Sequence, residues 1–97
     1  MASQTFALTA AASESETITI GAGEALRVRF AYASADLIGK VRTSIVITAN
    51  GFESEVPVDE RSIVPRGAVA EGDVIKLRAE FGGATGTIEG ILESFAS

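Results

Sequence analysis

The chain has 97 residues, 46% of them hydrophobic, which is enough for one domain with its own core and too little for two. It contains neither cysteine nor histidine. That excludes disulfides and thiolate chemistry and removes the commonest general base and metal ligand. Eight Lys and Arg against thirteen Asp and Glu leave a net charge of −5, a poor balance for a nucleic-acid partner.

The first fifteen residues are set apart from the rest. Gln4–Thr9 (QTFALT) alternates Phe6 and Leu8 against Thr5, Ala7 and Thr9, the pattern of a short strand. Ala10–Glu14 is small and polar, like a tether. Residues 1–15 therefore read either as an arm whose Phe6 and Leu8 dock on a partner's sheet edge, or as the first strand of their own domain. Residues 16–97 read as an all-β domain. Met1–Ala12 lacks the basic and apolar regions of a secretory signal, and no window reaches the ~18–20 apolar residues of a membrane span. The expectation is a chain that stays in the cytoplasm or joins an assembly built there, with no membrane partner.

Alternation continues along the chain. Glu16–Ile20 (ETITI) puts Ile18 and Ile20 on one face, and Gly21–Ala22–Gly23 is a turn. Glu24–Tyr32 (EALRVRFAY) points Leu26, Val28, Phe30 and Tyr32 inward and Arg27 and Arg29 outward. Ala33–Lys40 breaks the period and reads as a loop with one helical turn. Val41–Ala49, Asn50–Gly51 and Phe52–Val58 form a hairpin, because Asn-Gly suits the two positive-φ positions of a type I′ turn. The implied register sets Ala49 opposite Phe52, Ile47 opposite Ser54, Ile45 opposite Val56, Thr43 opposite Val58 and Arg42 opposite Asp59. Pro57 marks an edge strand or the end of pairing.

Ser62–Val64 is a short strand before Pro65, and Asp73–Phe81 (DVIKLRAEF) turns Ile75, Leu77, Ala79 and Phe81 inward. Thr87–Phe95 (TIEGILESF) fits two templates. Ile88, Ile91, Leu92 and Phe95 have helical spacing, whereas Gly90 and the preceding strand and glycine-rich turn favour a returning strand. Six to seven short strands in all predict a single antiparallel β-sandwich or small β-barrel.

Few residues offer chemistry. Glu53 and Glu55 share a strand face near Asp59 and Glu60, but such carboxylates keep an edge soluble more often than they catalyse. No spacing matches a calcium loop, and the Gly21–Gly23 turn lies between strands with no phosphate-loop sequence after it. The expectation is no enzyme activity, no cofactor and no metal. Arg27, Arg29 and Arg42 lie close in sequence on outward positions, and they either form a basic face for an acidic protein partner or pair across strands within the domain. A sugar binder would want exposed Trp or Tyr, and the single Tyr32 alternates inward.

Several stretches together resemble small structural proteins of tailed bacteriophages. These are Thr5–Ala11 (TFALTAA), Ser13–Ser15, Glu16–Gly21 (ETITIG), Glu71–Phe81 (EGDVIKLRAEF) and Thr85–Leu92 (TGTIEGIL), in this order. The chain is most similar to head decoration (cement) proteins. The resemblance covers about half the chain and departs in the middle, where Phe52–Arg61 is acidic and lacks Trp. It implies a final strand at Thr87–Phe95 and a place on the virion capsid surface. It also implies the major capsid protein as partner, and self-association as a homotrimer. Tail or neck proteins and carbohydrate-binding modules are the alternative classes.

Overall fold

In a computed structural model that describes residues 2–33 and 35–96, the alternating segments become eight strands: β1 Ser3–Leu8, β2 Ile18–Thr19, β3 Glu24–Tyr32, β4 Arg42–Ala49, β5 Phe52–Pro57, β6 Arg61–Val64, β7 Val74–Glu80 and β8 Ile88–Ala96. They form two four-stranded antiparallel sheets, ordered β1-β8-β3-β6 and β2-β7-β4-β5. The architecture is a β-sandwich, not a barrel. Strand β2 is shorter than its five-residue alternating pattern, since only Ile18 and Thr19 pair with β7.

The two sheets meet through the side chains that period two turns inward. Leu26, Val28, Ile88 and Leu92 come from one sheet and Ile45, Ile75 and Leu77 from the other, each fully buried in one cluster. Burying a Leu or Ile completely stabilises the fold by about 1.5–3 kcal/mol, so these seven dominate the core. Leu37, from the 3-10 turn Ala35–Leu37, joins the same buried cluster.

Among the described strands, only β4 and β5 are joined as a hairpin; every other connection changes sheet. Asn50 (φ 53°) and Gly51 (φ 83°) take the two left-handed positions that the tight turn demands. Ala49 pairs with Phe52, Ile47 with Ser54 and Ile45 with Val56, as the turn chemistry predicts. The ladder ends at Ser44 and Pro57, so the expected pairs Thr43–Val58 and Arg42–Asp59 lie beyond it. The Val58 N–H still donates to the Thr43 carbonyl at 3.1 Å, while Arg42 faces Glu80 of β7 instead. Proline lacks the N–H that would carry the ladder further.

The last segment forms a strand, Ile88–Ala96, not a helix. β8 lies between β1 and β3, pairing with both, and does not return along β7 as a simple hairpin would. The glycine-rich turn after β7 therefore carries the chain from one sheet to the other. Gly90 is required by close approach: a Cβ there would lie 2.2 Å from the Arg29 carbonyl oxygen and 2.5 Å from the Phe30 Cβ. Phe6 and Phe30 flank Gly90 from either side in register, and Arg29 and Phe30 take the space that a side chain would need.

Candidate interaction surfaces

Strand β1 belongs to this chain's own sheet. It pairs with β8 over six residues, from Ser3–Glu93 to Leu8–Ile88. Phe6 is 8% exposed and Leu8 2%. Of the two readings of the N-terminal segment, the fold takes the first strand, with both side chains packed in this chain's own core. Phe6 and Leu8 are thus core residues and offer no stripe to a partner. The stretch after them is held as well. The Ala79 N–H donates to the Ser13 carbonyl at 2.9 Å, and the Ser15 N–H donates to the Leu77 carbonyl at 2.9 Å.

The three arginines separate. Arg27 and Arg29 sit on the outer face of the β1-β8-β3-β6 sheet, whereas Arg42 sits on the other sheet. Arg27 lies over the Phe95 ring, 4.6 Å from its centroid, a cation–π contact. Arg29 Nη2 bonds Glu93 Oε1 at 2.7 Å. Beside them Ile63 faces Arg27 in the β3–β6 ladder and is 64% exposed. The outer face therefore combines an aromatic-backed arginine, an ion pair and a large aliphatic side chain. Of the two readings of these arginines, Arg29 shows pairing across strands, with Glu93 of β8, and Arg42 is separated from Arg27 and Arg29 because β3 and β4 belong to different sheets.

Arg42 is exposed and makes no ion pair among the described residues. It helps line an open cleft of about 540 Å³ with Tyr32, Val58, Glu55, Asp59 and Glu80. At this cleft the Tyr32 hydroxyl is pushed above its ordinary pKa, first by burial and then by the charges of Glu60 and Asp59. Tyr32 also meets Phe30 edge-on, with ring centroids 5.8 Å apart. Three carboxylates with one guanidinium leave the cleft acidic.

Sequence reasoning missed a charged cluster on the outer face of the other sheet. Arg78 bonds Glu14 through Nε at 2.7 Å and Glu55 through Nη1 at 2.7 Å, and Lys76 reaches Glu14 at 3.1 Å. The bond from Arg78, then that from Lys76, holds the Glu14 carboxyl below its usual range. Val46, between Glu55 and Lys76 in register, is only 1% exposed on this face, covered by the long side chains around it. The partners lie 62, 64 and 23 positions apart, so no local pattern could have joined them.

Four strands close the two sheets, and their free edges differ. β2 has two residues and β6 four, with Pro65 directly after it. β5 has six, all exposed, with Glu53, Glu55 and Pro57 among them. β1 also has six, with neither charge nor proline. Neither a protein-family model nor a curated protein sequence matches the chain.

Proposed function

We propose that the chain is a structural binding protein that decorates an assembled bacteriophage head, bridging neighbouring major capsid subunits and catalysing nothing. The observation that carries the reading is the outer face of the β1-β8-β3-β6 sheet, where Arg27 rests on Phe95 beside the exposed Ile63. Arginine, aromatic and exposed aliphatic side chains together have the composition of protein-binding anchors. The resemblance of the β1, β2, β7 and β8 sequences to cement proteins supplies the class of partner. The β-sandwich is compatible with that class.

The mechanism is linkage. A protein that binds only the assembled shell stabilises it by RT ln(1 + [L]/Kd), and many copies add up without a large interface each. The test is co-sedimentation of the purified chain with expanded heads of the phage that encodes it. Saturable binding is expected, and Arg27→Glu combined with Ile63→Asp should reduce occupancy strongly while the domain stays folded. A chain that remains in the supernatant, or that is found in purified tails and not in heads, overturns the reading.

A further inference from the structure

We infer that the free edge of β1 pairs with β1 of a second copy, antiparallel about a two-fold axis, joining two four-stranded sheets into one of eight strands. The inference stands on the four sheet edges and is independent of the capsid reading.

An unpaired edge strand presents a row of N–H and C=O groups to any other strand, and soluble proteins blunt such edges with charge, proline or short length. Three of the edges here follow that rule. β2 is two residues long, β6 is four with Pro65 after it, and β5 carries Glu53, Glu55 and Pro57. β1 does not follow it. Its six residues, Ser3–Leu8, include no charged residue and no proline, and the outward-facing Ser3, Thr5 and Ala7 are all exposed. On its free side a shallow groove of about 220 Å³ runs along Thr5–Leu8, walled by Glu14, Ser15 and Glu16, and the Gln4 amide donates to the Thr5 carbonyl at 3.0 Å.

The occupant that fits is the same strand. A two-fold pairing places each residue opposite one of the same set, so it must avoid like charges. β5 fails this condition, because Glu53 and Glu55 would meet their own copies. β1 meets it in the two longest registers that keep inward residues opposite inward ones, with Thr5 opposite Thr5 or opposite Ala7 of the other copy. Nothing on the edge would select a different partner, since its outward side chains are small and uncharged. Glu14 on the groove wall is neutralised by Lys76 and Arg78. Glu16 brings one carboxylate from each copy near the seam, so added salt should strengthen the pairing. A six-residue seam is small beside the roughly 1,200–2,000 Å² of stable interfaces, so the dimer is weak and concentration-dependent.

Analytical ultracentrifugation of the full chain, from micromolar to millimolar concentration, tests this. The expected result is a monomer–dimer equilibrium that Thr5→Lys and Thr5→Glu each weaken at least ten-fold, while an equimolar mixture of the two variants associates again. The substituted positions lie opposite or diagonal in either register, so opposite charges restore the contact. Thr5 is exposed, and Ala7→Lys, also exposed, serves if Thr5→Lys alters the melting temperature. Ser54→Lys on β5 should change nothing. A wild-type chain that stays monomeric at millimolar concentration overturns the inference. So does a dimer that survives Thr5→Lys, or that Ser54→Lys disrupts.

Discussion

Strands β1 and β5 are both six-residue edge strands read from clean alternation, and they differ in almost everything else. β1 turns Phe6 and Leu8 into the core and is electrically neutral. β5 turns Phe52 and Val56 in the inward direction, yet they are 80% and 37% exposed, and its other face is acidic. The comparison teaches that period two fixes which side chains share a face, while burial depends on whether another layer reaches that face. It also separates two kinds of edge. β5 contributes little to the core and carries its own protection against pairing, whereas β1 contributes much and carries none.

The largest effect should come from removing residues 2–8. That deletion takes Phe6 and Leu8 from the core and exposes the β8 edge, so the remaining chain should lose its cooperative thermal transition. A truncated chain that melts within a few degrees of the intact one would restore the arm reading. Single truncations rank next. Leu8→Ala and, on the central strand β4, Ile47→Ala should each cost about 2–4 kcal/mol in denaturant melts, as loss of a buried aliphatic side chain does. Phe52→Ala and Glu55→Ala, on β5, should stay within about 0.5 kcal/mol, as at most exposed sites. Equal costs on both strands would break the comparison.

The smallest effect is electrostatic and concerns the exit from β1. Glu14 is held below its usual range by Arg78 and Lys76, so its folded pKa lies under the unfolded value near 4.5. The contribution is therefore fully present above that value and is lost as pH falls through the lowered folded pKa. Its carboxylate is 40% exposed, so the effect is slight. Comparing wild type with Glu14→Gln across the acid range should show a small stability difference above pH 4.5 that vanishes on acidification. Tyr32, the single tyrosine of the chain, gives an independent check near the end of β5. Its absorbance titration should have a midpoint above 10.0, because burial and the charges of Glu60 and Asp59 disfavour the phenolate.

Local signals made much of the fold legible. Asn50–Gly51 set the β4–β5 register, and alternation identified the inward residues of β3 and β7. What the sequence left open was which strands are neighbours. The turn after β7 looks like a hairpin turn, but the choice between pairing with β7 and crossing to β1 and β3 is made by long-range packing around Gly90. The same limit applies to the surface. Arg27, Arg29 and Arg42 are close in the chain and separated by the sandwich, while Glu14, Glu55 and Arg78 are far apart in the chain and bonded in space. Phe6 and Leu8 illustrate it most plainly, since the same alternating pattern serves a docking arm and a core strand.

Native-state hydrogen exchange compares the two edges in a single experiment, reading local opening directly. The account expects the β1 amides that bond to β8 to exchange only through near-global unfolding, because opening them exposes Phe6 and Leu8. The β5 amides that bond to β4 should exchange much faster, by fraying of a strand with every residue exposed. Rapid exchange along β1, with slow exchange along β5, would contradict the assignment of β1 as an integral strand of this domain.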